Sequence, residues 1–79
     1  MQIYIFYLGD NKCKNTDILY VDKSTCDRIR KEIKEGKLIL EIYPGESSYK
    51  ERNGKLVTIT YSQYIVMANV CKIIIDDLN

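Results

Sequence analysis

Residues 3–8, Ile-Tyr-Ile-Phe-Tyr-Leu, carry an apolar or aromatic side chain at every position. An extended chain sends alternate side chains to opposite faces. Ile3, Ile5 and Tyr7 then share one face, and Tyr4, Phe6 and Leu8 the other. A strand apolar on both faces belongs in the middle of a sheet or under cover on both sides. Residues 64–75 make a similar demand. In 79 residues there is room for one core, so the chain reads as a single α+β domain, 1–79. Two such segments exceed what one short helix can cover. The sheet must close on itself, or a partner or second copy must cover the remainder.

The helix is at 24–35. Ser24 is placed to cap its start, with Asp27 three residues on. Cys26, Ile29 and Ile33 form a narrow apolar stripe at helical spacing. Gly36 suits the left-handed position that ends a helix. Alone, about three turns are marginal in water, so the helix must dock on a sheet.

Further strands are expected at 18–21 and 37–43, the latter stopped by Pro44-Gly45. Asn53-Gly54 is the strongest turn signal, since both residues tolerate the positive φ of a type I′ hairpin. It sets strands at about 48–52 and 55–61. The segment 62–75 is ambiguous. Tyr64, Ala68, Cys71 and Ile75 would line a helix, but the density of β-branched residues favours a turn at 62–64 and then a strand to Ile75. Residues 9–15, Gly-Asp-Asn-Lys-Cys-Lys-Asn, read as a turn.

The closing rhythm, a hairpin through "RNGKLVTITY", then "SQYI", then a last strand, is similar to that of small SH3-like barrels. In those, a tight helical turn precedes the final strand. The expected fold class is therefore α+β: a curved antiparallel sheet or small SH3-like barrel of five to six strands, with the helix at about 24–35 packed on it.

The chemistry of catalysis is thin. The chain has no His, which removes Ser-His and Cys-His nucleophile pairs. Its four glycines each stand alone, so none builds a phosphate loop. Asp76 and Asp77 are more simply solvated charges than a metal site. Glu35-Gly36-Lys37 spells a nuclease-like spacing, but at a helix end rather than on a strand. Cys13, Cys26 and Cys71 are odd in number and widely spaced, which reads as free thiols in a reducing compartment. Cys13, beside Lys12 and Lys14, is the one whose thiol could be activated. No enzyme activity, cofactor or metal is expected. The short apolar run at 3–8 is a strand rather than a leader, and no stretch approaches a membrane span. A cytoplasmic location is expected.

Twelve basic and eleven acidic residues give a net charge of +1, too little for strong non-specific binding to nucleic acid or anionic membrane. The helix interleaves its cations with acids at i,i+4 spacing, as a solvated face does. Lys23, Arg30, Lys34 and Lys37 are the least compensated. They are the anion or nucleic-acid patch of the alternative reading, a nucleic-acid-binding small barrel. Seven tyrosines against one Phe and no Trp suit half-buried positions and contact surfaces. Tyr43, Tyr49, Tyr61 and Tyr64, spread around the hairpin, are the candidate partner-binding residues.

The leading expectation is a small non-catalytic protein-binding module, with a homodimer possible. A short chain rich in Lys, Ile, Asn and Tyr resembles accessory proteins of bacteriophages and mobile elements. That resemblance implies a protein that binds and modulates or inhibits a host protein, of the anti-defence type. A protein that sequesters a small nucleotide-like ligand is the third reading.

Overall fold

A computed structural model describes residues 1–9, 12–45 and 49–76, excepting the side chains of Lys12, Cys13 and Lys14. Strand β1 (Gln2–Gly9) is the apolar segment that opens the chain. It lies between β2 (Lys12–Tyr20) and β7 (Val70–Asp76), antiparallel to both. The expected central position is therefore found. β4 (Tyr49–Arg52) pairs with β2, and β5 (Lys55–Thr58) with β4. The result is an open five-stranded sheet ordered β5-β4-β2-β1-β7. A separate two-stranded sheet pairs β3 (Ile39–Ile42) with β6 (Gln63–Val66). Helix α1 (Lys23–Lys34) connects β2 to β3.

The α+β class with one helix holds. The sheet is not closed into a barrel, and the described residues form seven strands rather than five or six. A helical turn does precede the last strand, as in the SH3-like pattern. It is a 3₁₀ turn at Met67–Asn69 between β6 and β7, beyond the expected 62–64. The strand state favoured by the β-branched residues is found, but the single strand expected to Ile75 is two, β6 and β7, and the turn between them sends them to different sheets.

One apolar cluster joins the layers. Ile3 and Ile5 from β1 and Leu19 from β2 meet Cys26 and Ile29 from α1, and Leu40, Ile42 and Ile65 from the small sheet. All are nearly inaccessible to solvent. Burying each isoleucine or leucine contributes about 1.5–3 kcal/mol. The helix and the small sheet thus cover the same face of the large sheet. Its other face carries Tyr4, Phe6, Ile18 and Tyr20, which are half-buried. There the Lys72 ammonium lies 4.8 Å from the centre of the Phe6 ring.

The start of α1 corrects the expected cap. Asp22, not Ser24, is the N-cap: its carboxylate accepts the Thr25 N–H at 2.8 Å and the Ser24 hydroxyl at 3.1 Å. The end is as expected. Gly36 has φ +78°. Its N–H donates to the Ile33 carbonyl, and the Lys37 N–H donates to that of Glu32, each at 3.1 Å, a Schellman closure. At the hairpin, Asn53 (φ 49°) and Gly54 (φ 85°) adopt the positive angles of a type I′ turn.

β2 begins at Lys12, where a turn was expected over 9–15 and a strand only from 18. Pairing with β1 overrides the polar composition there. Cys71 is disulfide-bonded, which corrects the expectation of free thiols throughout. Cys26 keeps a buried thiol that is not part of a disulfide. The expectation about the Cys13 thiol lies outside the described side chains, as Asp77 lies outside the described residues.

Candidate functional site

The two faces of the β3–β6 sheet differ sharply. Leu40, Ile42 and Ile65 point into the core. The cross-strand pairs Ile39–Val66 and Glu41–Tyr64 point outward, as strand alternation requires. Ile39 is 53% exposed, Val66 42% and Tyr64 65%. Tyr43 continues this face and is also exposed; it lines one shallow depression with Ile39, Glu41 and Tyr64. Arg28, Glu32 and Lys37 form the rim of that depression. Arg28 donates to the Glu41 carbonyl at 2.9 Å, and its guanidinium stands 5.5 Å from the centre of the Tyr43 ring. The Glu41 carboxylate, followed by partial burial, raises the pKa of the Tyr64 hydroxyl. The face therefore has an apolar centre and a rim of mixed charge.

Of the four candidate tyrosines, the structure brings Tyr43 and Tyr64 together here. Tyr49 belongs to the large sheet, where its ring lies 5.1 Å from that of Tyr20. Tyr61 sits in the β5–β6 connection and is the most exposed of the four.

The four candidate cations divide as well. Lys23 and Arg30 both approach Asp27, at 3.0 and 3.6 Å, and Lys37 reaches Glu32 at 3.3 Å. The i,i+4 spacing predicts Asp27–Lys31, Arg28–Glu32 and Lys31–Glu35 pairs; the last two form, at 2.6 and 3.8 Å, while Asp27 pairs with Lys23 and Arg30. Lys34 makes no ion pair among the described residues. Arg30 and Lys34 line an apolar groove of about 460 Å³ between α1 and β7.

A second constellation went unread in the sequence. Asp17, on β2, is directly opposite Arg52 on β4. It faces inward and is 3% exposed. Arg52 grips it with two hydrogen bonds, Nε to Oδ1 at 2.8 Å and Nη2 to Oδ2 at 2.9 Å. The Tyr7 hydroxyl donates to Oδ2 at 3.0 Å. The buried Lys50 ammonium lies 3.7 Å from the same oxygen and donates to Gln63 Oε1 at 3.0 Å. Burial pushes the Asp17 pKa up, but the Arg52 hydrogen bonds and the Lys50 charge outweigh it and hold the carboxyl below its ordinary value. Burial, then the Asp17 charge, pushes the Tyr7 phenol well above its usual range. Burial lowers the Lys50 pKa against the pull of Asp17. The Asp17 hydrogen bond raises that of Arg52.

The backbone of β1 is irregular where it meets this cluster. Its register with β2 shifts between Tyr7 and Leu8, and that with β7 between Phe6 and Tyr7. Such irregularities re-aim side chains beside functional sites. The available signal was Asp17 at an inward-facing position once the strand is extended back to Lys12.

Among the described residues no cluster of three or more Cys, Asp or Glu is grouped to hold a metal ion. No helix among them is long and apolar enough to cross a membrane. No family model, curated protein or solved structure matches this chain.

Proposed function

We propose that this chain is a non-catalytic binding module that engages another protein through the outer face of the β3–β6 sheet and acts by occluding or modulating that partner. The observation that carries this reading is the exposure of Ile39, Tyr43, Tyr64 and Val66 on one small face while Leu40, Ile42 and Ile65 on the opposite side of the same sheet are buried. Protein interfaces combine such an apolar and aromatic centre with a polar rim, and buried tyrosines are frequent energetic anchors. The rim supplies Arg28 and Lys37 together with Glu32, and Glu41 stands opposite Tyr64 within the face. That mixture fits a protein surface better than a polyanion, which rewards uncompensated cations. The helical cations support the same choice, because Asp27 and Glu32 already engage three of the four candidates.

The test is capture from native cell extract with nuclease present. It compares the wild-type chain with Ile39→Asp, Tyr64→Asp and a control, Leu56→Asp, on the exposed β5. A stoichiometric protein retained by wild type and control but lost from both β3–β6 variants is expected. Equal retention by all four, or loss of everything on nuclease treatment, contradicts the proposal. If the retained protein is a second copy of this chain, the module is a homodimer through that face.

A further inference from the structure

The Asp17 cluster forms the floor of a cleft of about 330 Å³ between the large sheet and β6. Tyr7, Asp17 and Arg52 line the floor, and Tyr64 and Val66 the wall. Asn15, Asn53 and Asn69 complete the lining. A smaller hollow of about 60 Å³ continues inward to Lys50 and Gln63.

Three features define what this cleft accepts. The first is charge. Arg52 and Lys50 face one carboxylate, which leaves a surplus of one positive charge. Both Asp17 oxygens already accept from internal donors, so the one carboxylate lining the cleft is engaged within the protein. Arg52 uses Nε and Nη2 on Asp17. Its Nη1 makes no hydrogen bond among the described residues, and its side chain is 53% exposed. That free edge of a guanidinium fixed in place is a ready donor for a phosphate or carboxylate.

The second is a flat wall. Tyr64 presents an exposed ring beside the cleft, a stacking surface for a planar group. The third is the backbone of β6, which among the described residues pairs only with β3. The Met67 N–H donates to the Leu38 carbonyl at 2.9 Å, and this fixes the phase of the ladder. Residues opposite one another alternate between exchanging hydrogen bonds and turning them outward. Tyr64 and Val66 fall on the outward-turning positions, so their N–H and C=O groups lie on the free edge of β6, where both residues line the cleft. Alternating donors and acceptors of this kind match the polar edge of a nucleobase.

We infer that this cleft binds a small planar anion of the nucleoside monophosphate class, its phosphate on Arg52 and its base along Tyr64 and the β6 edge. The volume lies at the small end of ligand cavities and suits one nucleotide. The buried charges gain a reason: an ion pair of this kind adds little net stability over an apolar core, but it holds Arg52 rigid for a ligand. Tyr64 and Val66 also belong to the proposed docking face, whereas Arg52 and Asn53 line the cleft alone, so Arg52→Lys separates nucleotide binding from protein docking.

The test is titration of the ¹⁵N-labelled protein with each of the four ribonucleoside 5′-monophosphates, with inorganic phosphate and adenosine as controls. Expected is saturable binding of at least one monophosphate at or below about 1 mM, with shifts at Arg52, Asn53, Tyr64 and Val66. Affinity should fall about tenfold or more in Tyr64→Ala, a change at an exposed position that leaves the fold intact. Arg52→Lys, which keeps the charge but loses the fork, should weaken the nucleotide and not the adenosine control. Absence of binding by all four, unchanged affinity in Tyr64→Ala, or equal affinity for inorganic phosphate alone overturns the inference.

Discussion

At the scale of single residues, Asp17 is the most informative side chain. Its pKa is held below the ordinary carboxylate value. An acid with a depressed folded pKa contributes stability above its unfolded pKa, about 3.9, and loses it as pH falls through the lower folded value. Asp17→Asn should therefore cost about 2 kcal/mol at pH 7, a figure discounted because Arg52 is half exposed. The gap between wild type and variant should stay level down to about pH 4 and shrink below it. Urea denaturation of both proteins across that range checks this; a gap that persists undiminished into strong acid contradicts it. Asp17 was illegible in sequence for a plain reason. Its partner Arg52 is 35 positions away, and only the strand register brings the two opposite. A charged residue with no known register reads as surface.

At the scale of elements, what could be read was what local chemistry decides. Gly36 and Asn53-Gly54 adopt positive φ because glycine and asparagine tolerate it at little cost, and both boundaries were visible. The helix start was displaced because Ser24 and Asp22 are both good caps. The carboxylate of Asp22 reaches the Thr25 N–H, while the Ser24 hydroxyl is spent on Asp22 itself. Asp22→Ala should thus cost about 1 kcal/mol and Ser24→Ala about 0.5 kcal/mol or less, measured by urea denaturation. The reverse order would restore Ser24 as the cap. β2 was read too short because Lys12 to Asp17 is polar. Its strand state comes from β1, which pairs along its whole length, and not from its own propensity.

At the scale of the whole molecule, the apolar segments at 3–8 and 64–75 stated the correct problem: one helix cannot cover them. The chain answers in part by folding β3 and β6 into a second small sheet over the same core. That answer leaves the outer side of the small sheet uncovered. Tyr43 and Tyr64 were legible as candidates by residue type, but their meeting on one face depends on the β3–β6 register, as does the separation of Tyr49. The Asn-rich cleft beside β6 depends on how the two sheets approach, which no local pattern encodes.

The protein partner we propose occupies the outer β3–β6 face. The most direct measurement places a photo-crosslinking amino acid at Ile39, and separately at Leu56, and irradiates each chain in native extract. A discrete protein adduct of one mass is expected from position 39 and none from position 56. A discrete adduct from position 56 alone, or none from either, would contradict it.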